Sequence, residues 1–433
     1  MHIKKHLSFS ALRVSLSELF GQISDRRQPG KVDYCLHDCL MSALAMMFFQ
    51  DPSLLSFFRR LEDPMQCGNL KALFALQAIP QDSCLRESLD AVDTAAINPA
   101  FGIFLQRLQR GNQLSAFRFL NDSYLIALDG SQYFSSEKIH CPSCLTYKGA
   151  KGPLRYSHQI LQAVMLHPHM RQVLPLAPEP IANTDGTQKQ DCELAAAKRI
   201  LSKIRSAHPK LPIIITADGL YSNQPFVQAL KTAGMSFILV AKPADHKILF
   251  EWVQELTGLG DAQQLELTDA KGRRHLYRWL NRVPLNGSND ADLVNFFEYW
   301  LQVDQKTTYH NSWVTDLCVT RDNVVDLVLG GRARWKIENE TFNTLKNQGY
   351  HIEHNFGHGS RHLSLNFFVL NLLAFFIHQV LELCDLSYQY CRSRFSSRQE
   401  YWNNLRVANR LLLFNDFEHL LRYVAHPAEI RAP

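Results

Sequence analysis

The chain has 433 residues, of which 46% are hydrophobic and 20% charged, so it can build the cores of two or three globular domains. It contains no low-complexity tract, and its net charge of +5 is compatible with a nucleic-acid partner without requiring one. Ten irregularly spaced cysteines and the lack of a signal-peptide pattern favour reduced thiols in a cytoplasmic protein over a disulfide framework.

The first part of the chain, residues 1–122, is predicted to be mostly helical. Residues 39–50 form a dense apolar stretch, and residues 52–61 and 98–108 show apolar positions at helical spacing. Proline and glycine residues separate these patterns.

From residue 123 onward, strand and helix patterns alternate. The predicted strands are 124–128, 211–217 and 236–241, and the predicted helices are 190–206 and 223–233. The run 156–166 is predicted as another strand, although its length also fits a helix. This alternation is typical of an α/β layer with parallel strand pairing.

The following segment, residues 242–331, is rich in aromatic and β-branched residues and is predicted to be an antiparallel β block. A helix at 332–346, an apolar run at 363–383 and a basic tail at 387–433 follow. The apolar run is long enough to be tested as a membrane span. It contains polar residues, which favour a buried core helix: Asn366, Asn371, His378 and Gln379.

Two aspartates follow predicted strands of the α/β layer. Asp129 and Asp218 each end an apolar run and each precede a glycine. Either could be a simple turn residue, but ligands of α/β sheets gather at the carboxyl ends of strands. Two carboxylates at neighbouring strand ends could bind Mg²⁺. A third carboxylate would complete a two-metal site that activates a water or a 3′-hydroxyl for phosphodiester chemistry.

The third carboxylate is expected from the helix 332–346, which contains Arg334, Glu338 and Glu340. Each residue of an α-helix advances by about 100°. Glu338 therefore shares a face with Arg334, whereas Glu340 points almost the opposite way. We predict that Glu338 completes the site; the alternative is a solvated acid paired with Arg334.

These residues resemble the bacterial insertion-sequence transposases with a DDE catalytic triad, which belong to the RNase H-like superfamily. The matching pieces contain Leu-Asp129-Gly-Ser-Gln, Thr-Ala-Asp218-Gly-Leu and Arg334-Trp-Lys-Ile-Glu338. The resemblance implies an α/β fold, an RNase H-like mixed sheet flanked by helices, with a β-rich insertion and a helical N-terminal domain. It divides the chain into a DNA-end-binding region 1–122, a core 123–241 and 332–386, an insertion 242–331 and a tail 387–433.

The resemblance also implies an activity. Asp129, Asp218 and Glu338 are expected to be the catalytic metal ligands, using Mg²⁺ or Mn²⁺. The reaction would be hydrolysis at transposon ends followed by transfer of the 3′-hydroxyls into target DNA, performed by a homodimer on DNA. Two alternatives stay open: a catalytically retired DNA-binding protein, and an RNase H-like nuclease that cuts without joining.

One cut-and-paste group of these transposases has the signature Tyr, two residues, Arg, three residues, Glu, six residues, Lys. Arg334 and Glu338 fit this signature. Gly331 occupies the tyrosine position, Leu345 occupies the lysine position, and Lys346 lies one residue late. The departures leave open whether excision passes through a DNA hairpin.

The resemblance implies DNA contacts beside the triad. Arg334 and Lys346 are expected to bind phosphates. Trp335 would stack on a displaced base, or alternatively pack into the core. Arg361 lies in a glycine-containing segment that is predicted to be a flexible loop near DNA rather than a metal site, although it contains four histidines: His351, His354, His358 and His362.

The segment Cys141-Pro-Ser-Cys144 resembles half of a zinc site. A complete site needs about four ligands, and no second pair of cysteines at this spacing follows. His158 and His167 are possible partners, but neither has a diagnostic spacing. A tight turn is therefore the favoured interpretation, and structural zinc is disfavoured.

Overall fold

The computed structural model describes residues 5–28, 30, 32–149, 152–183 and 191–426. Fifteen α-helices lie in this part of the chain: α1 Phe9–Gly21, α2 Leu36–Phe48, α3 Leu54–Leu61, α4 Pro64–Phe74, α5 Asp82–Ala91, α6 Pro99–Arg110, α7 Glu193–Ala207, α8 Gln224–Thr232, α9 Lys247–Gly258, α10 Val324–Ala333, α11 Asn343–Asn347, α12 Leu363–Cys384, α13 Leu386–Ser393, α14 Arg398–Leu411 and α15 Phe417–Ala425. No disulfide links any of the ten cysteines, all of which are described.

The described residues also form twelve strands in one mixed sheet: β1 Arg118–Phe119, β2 Ser123–Ser136, β3 Leu145–Lys148, β4 Leu154–Leu166, β5 Leu174–Pro175, β6 Glu179–Ile181, β7 Ile213–Ala217, β8 Ser236–Val240, β9 Gln263–Thr268, β10 Arg274–Pro284, β11 Leu293–Val303 and β12 Lys306–Thr315. The main strand order is β3-β4-β2-β7-β8-β12-β11-β10-β9. β1 lies beside β2, and β5 and β6 lie beside β4.

The centre of the sheet confirms the predicted RNase H-like α/β fold. β3, β4 and β2 pair antiparallel, whereas β2, β7 and β8 pair in parallel. The residues of β7 and β8 are nearly all buried, as expected of parallel strands covered on both faces. The ambiguous segment 156–166 is a strand, because it forms most of β4.

The strand predicted at 124–128 is longer than expected, and the alternative of a turn at Asp129-Gly130 is wrong. β2 continues to Ser136, because β4 pairs with it on the other side, with Asp129 opposite Gln162 and Gly130 opposite Leu161. The apolar run ends at Leu128 because the strand leaves the buried core there, and not because the strand ends. Antiparallel pairing lets one face meet solvent, so polar residues can follow within the same strand.

The β-rich block is antiparallel, as predicted, and it extends the central sheet. β12 pairs with β8, with Trp313 opposite Val240 and Thr315 opposite Ile238. The block also contains the helix α9, and α10 begins at Val324, earlier than the predicted helix start at residue 332. Arg332 of α10 lies over the Tyr309 ring, 4.7 Å from its centroid, so α10 also contacts the insertion.

α12 is the central core helix, and the prediction of a buried helix is confirmed. By length and composition alone, this helix could cross a membrane. However, 83% of its 18-residue apolar window is buried inside the protein. Its polar residues Asn366, Asn371, His378 and Gln379 each make at least one internal hydrogen bond. Asn366 donates to the carbonyls of Leu89 and Val92, Gln379 accepts from the Val173 N–H, and His378 shares a 2.6 Å hydrogen bond with the Tyr350 hydroxyl.

The N-terminal and C-terminal helices share a core with α12. Phe9 of α1 contacts Phe417 of α15, with ring centroids 4.6 Å apart. Asn69 of α4 donates to the Leu412 carbonyl at 2.7 Å, just after α14. In the predicted basic tail, Arg398 is buried and pairs with Glu382 at 3.0 Å. The described N-terminal and C-terminal helices are therefore packed together around α12.

α10 lies so close to the sheet that a glycine is required at position 331. A Cβ atom there would lie 2.6 Å from Nε1 of the fully buried Trp313. We expect Gly331→Tyr, which would restore the signature tyrosine, to destabilise the protein by about 1–3 kcal/mol or more, as overpacking does. The urea unfolding midpoint measures this. Asn339→Tyr, at an exposed position, is the control, and equal midpoints for both variants would contradict the packing argument.

Candidate active site

Asp129 and Asp218 lie at the same level of two adjacent parallel strands. The register of β2 and β7 pairs Ala127 with Thr216, and each aspartate lies two residues beyond this pair. β7 ends at Ala217, and the Asp218 side chain accepts a 3.0 Å hydrogen bond from the Leu220 N–H at the start of a short 3₁₀ turn. The predicted placement at neighbouring strands is therefore observed, with Asp129 inside its strand and Asp218 just after its strand.

Arg334 joins the helix to the sheet. Its guanidinium lies 2.7 Å from the Glu338 carboxylate and 3.8 Å from the Asp129 carboxylate. Arg334 and Asp129 are each about one-fifth exposed, whereas Glu338 is half exposed. The predicted shared face of Arg334 and Glu338 is thus present, and one arginine bridges carboxylates from two elements.

The predicted continuous α-helix over 332–346 is wrong. α10 ends at Ala333, and Ile337–Phe342 form a π-helical segment before α11. A π turn hydrogen-bonds to the fifth residue along, so it accommodates one extra residue in the helical path. Such segments are frequent at functional sites. Helical angles counted at 100° per residue therefore do not hold beyond Ile337.

The π segment affects the orientation of Lys346, which lies one residue past the lysine position of the signature. Leu345, at the lysine position of the signature, is 1% exposed and belongs to the core. Lys346 reaches the surface, where its ammonium lies 2.8 Å from Glu353. Because the π turn absorbs one residue, Lys346 shifts toward the direction that position 345 has in an uninterrupted helix. Lys346 is therefore the surface lysine nearest to the signature position, and its ion-pair partner in the structure is Glu353.

Glu340 lies apart from this carboxylate group. Its charge acts on the buried Lys336, whose pKa is lowered by burial and partly restored by Glu340. The Lys336 ammonium donates to the Met170 carbonyl at 2.5 Å. Glu340 is therefore associated with a lysine on another side of the helix from Arg334.

Glu193 is a fourth carboxylate of the site, and sequence reasoning missed it as a functional residue. It lies in the first turn of α7, where an acid is expected simply to complement the helix dipole. The Tyr221 hydroxyl donates to it at 2.5 Å. A Cβ atom on Gly130 would lie 2.3 Å from the Glu193 carboxylate, so Gly130 leaves room for it. Its only sequence signal was this glycine directly after Asp129.

The carboxylates of the site repel one another. The pKa of Asp129 is raised to about 7, chiefly by burial and further by the charges of Glu338, Glu193 and Asp218, while Arg334 lowers it. Burial and the same negative surroundings raise the pKa of Tyr221, which stays a neutral donor. The protein alone therefore concentrates more negative charge here than Arg334 compensates.

This donor set fits a hard divalent cation. Mg²⁺ prefers carboxylate oxygens and is held by one or two of them together with waters and substrate phosphates. Asp129, Asp218 and Glu338 supply such oxygens from three elements, and a cation among them would counteract both the burial and the repulsion that raise the Asp129 pKa. Glu193 is a further possible ligand, although Tyr221 already occupies one of its oxygens.

The other predicted site residues lie in different surroundings. Trp335 is 46% exposed beside Glu338, so it is not packed into the core. Arg361 lies against the N-terminal helices, where Asp90 accepts its backbone N–H at 3.0 Å. Arg361 lines a cleft of about 570 Å³ together with Arg26 and Arg27. The structure therefore does not bring Arg361 to the carboxylate group.

The mixed sheet, together with the carboxylates beside its central strands β2 and β7, defines an RNase H-like protein. Residues 122–376, more than half of the chain, match the family described as Transposase DDE domain, and the chain belongs to this family of insertion-sequence transposases. The matched segment includes Asp129, Asp218 and Glu338. Dependence on a divalent metal and binding to DNA are typical of the family. A comparison with curated proteins gives no match.

Proposed function

We propose that this transposase cleaves the phosphodiester bonds at the ends of its element and joins the freed 3′-hydroxyls to target DNA. The observation that carries the proposal is that Arg334 pairs with both Asp129 and Glu338, and that the charge of Asp218 acts on Asp129, inside the family-matched segment. Family membership alone supports only the broader activity.

The three carboxylates would hold Mg²⁺, with Mn²⁺ as a substitute. Bound metal supplies Lewis-acid chemistry, which lowers the pKa of an attacking water or 3′-hydroxyl and neutralises charge on the phosphodiester. Arg334 keeps Glu338 oriented through their 2.7 Å ion pair. Tyr221, by donating to Glu193, fixes that carboxylate against the backbone of Gly130 and limits its freedom near Asp129.

Basic and aromatic side chains around the carboxylates would bind the DNA. Trp335 presents an exposed ring on which a displaced base can stack. Arg334 and Lys346 would contact phosphates, which requires Lys346 to exchange Glu353 for DNA. Lys242 is a further candidate, because it is exposed and lies close to Asp218. Its side chain is 3.7 Å from the position that a Cβ atom added to Gly219 would take.

Arg361 would bind DNA away from the cleavage site. Its cleft with Arg26 and Arg27 brings basic residues from the N-terminal region and from the loop before α12 onto one surface. This arrangement supports the proposal that region 1–122 recognises element ends, separately from the core 123–241 and 332–386, the insertion 242–331 and the tail 387–433. Residues 1–4, 29, 31, 150–151, 184–190 and 427–433 of these regions lie outside the described residues.

Paired element ends would require a homodimer on DNA, acting in the cytoplasm and at the nucleoid. The end sequences themselves can be found in the DNA flanking the gene. Inverted repeats bracketed by short direct duplications identify the ends that the protein acts on. These repeats provide the substrate for a direct test.

The test combines purified protein, Mg²⁺, labelled DNA with the inverted repeat and a supercoiled target plasmid. We expect cleavage that exposes a 3′-hydroxyl at the repeat, followed by a covalent joint between the labelled strand and the plasmid. DNA with a scrambled repeat is the control. Cleavage without joined product would establish the nuclease alternative, and binding without cleavage would establish the retired DNA-binding protein.

A further inference from the structure

Two cysteines and two histidines from three distant segments converge away from the carboxylate group. Cys141 and Cys144 lie in the connection before β3, His158 lies in β4, and His358 lies in the loop before α12. All four side chains are buried, and none is more than 9% exposed. Their potential ligand atoms all lie within 4.8 Å of one another.

We propose that Cys141, Cys144, His158 and His358 form a structural Zn²⁺ site. The sequence alone disfavoured zinc because only half of a site was visible. The missing ligand is His358, which is 214 residues away from Cys144 along the chain. His167, the other partner considered, instead lies against Phe119 and His169.

The distances match a tetrahedral metal site. With Zn–S bonds of about 2.3 Å and Zn–N bonds of about 2.0–2.1 Å, tetrahedral geometry places two sulfurs about 3.8 Å apart and a sulfur and a nitrogen about 3.5–3.6 Å apart. The Cys141 and Cys144 sulfurs are 3.9 Å apart. Nε2 of His158 is 3.5 Å from both sulfurs, and Nε2 of His358 is 3.5 Å from the Cys144 sulfur. The sulfur separation is far from the roughly 2.05 Å of a disulfide.

Charge and surroundings also fit zinc. Binding releases the two thiol protons to solvent, and two thiolates with two neutral imidazoles then neutralise the dication, which suits a buried site. The Phe134 ring packs against His358 with centroids 4.5 Å apart, and Tyr133 stacks on His158 at 5.8 Å. These rings shield the site from water.

The position of the site indicates what the zinc would stabilise. Tyr133 and Phe134 belong to β2, the strand of Asp129, whereas His358 follows the helical segment of Glu338. The segment 348–362 between α11 and α12 has no regular secondary structure, and loops of about this length are uncommon in compact domains and are usually functional or disordered. Asp90 caps its end by accepting the Ser360 and Leu363 N–H groups. Zinc would fix the segment 348–362 to the sheet through His358.

The test uses the full chain, expressed with zinc in the medium and freed of any metal-binding tag. We expect about one zinc ion per purified chain by mass spectrometry, as a four-ligand site requires. Cys144→Ser and His358→Ala are expected to lose it. Cys391→Ser, a buried cysteine elsewhere, and His354→Ala, in the same loop, are matched controls that should retain it.

Two further measurements keep the outcome decisive if a variant fails to fold. Cobalt(II) added to the chelator-treated parent protein should give thiolate-to-metal absorption and tetrahedral d–d bands. Asp129→Asn should retain the zinc, which separates this site from the carboxylate group and from the proposed reaction. A zinc-free parent protein without a cobalt–thiolate band, or undiminished zinc in a folded Cys144→Ser variant, would overturn the proposal.

Discussion

The variants Asp129→Asn and Asp218→Asn are expected to lose cleavage of element ends by more than about 100-fold, while binding end DNA as tightly as the parent protein. Even partners that only orient metal ligands typically contribute about 10–100-fold, so replacing a ligand should cost more. Asparagine keeps the size of the side chain but removes its charge. Cleavage of labelled end DNA in Mg²⁺ and gel-shift binding of the same DNA measure the two effects.

Loss of folding should not explain this result. Burial and the neighbouring carboxylates both disfavour the negative charge of Asp129, so a neutral asparagine removes this cost in the metal-free protein. The melting temperature without metal should therefore not fall for Asp129→Asn. Asp322→Asn, at an exposed position, is the matched control for the substitution. Metal-dependent cleavage at the parental rate by either active-site variant would show that the assignment of ligands is wrong.

The two glutamates of the helical segment should respond in opposite ways. Glu338→Gln is expected to lose cleavage as severely as the aspartate variants, because it removes the carboxylate that faces Arg334 and Asp129. Glu340→Gln is expected to cleave close to the parental rate, because its charge acts on Lys336 instead. Parallel single-turnover cleavage assays at several Mg²⁺ concentrations compare the two variants.

These two variants are each other's controls, since both remove one charge from the same short segment. A Glu340→Gln variant that is inactive beside an active Glu338→Gln variant would show that the wrong face of the segment has been assigned. Because the π turn lies at this position, the comparison also tests whether the bulged geometry is kept in the DNA-bound state.

Most of the elements that local patterns predicted are present in the structure. The strands at 211–217 and 236–241 and the antiparallel block after them are continuous apolar or alternating runs, which depend on neighbouring residues only. The polar residues Asn366 and Gln379 correctly indicated a core helix rather than a membrane span. Asp129 and Asp218 were predicted as site residues because both follow apolar strand segments and precede a glycine.

Other structural features depended on contacts with segments that lie far away in the sequence. The length of β2 past Asp129 comes from its pairing with β4, which no local pattern encodes. The π turn was also hidden, because its sequence has ordinary helical composition. In the sequence, Gly331 was only a departure from the signature. The structure gives the reason, because the buried Trp313 leaves no space for a larger residue there.

The sequence by itself determined the fold class, the family resemblance and the three carboxylates of the predicted triad, because periodicity and short motifs are local properties of the chain. Only the tertiary structure decided which groups from distant segments come together. Glu193 reaches Gly130 and Tyr221, and His358 reaches Cys144, through packing between segments far apart in the sequence. Spacing cannot reveal such contacts, because they depend on how the whole sheet and its helices pack in three dimensions.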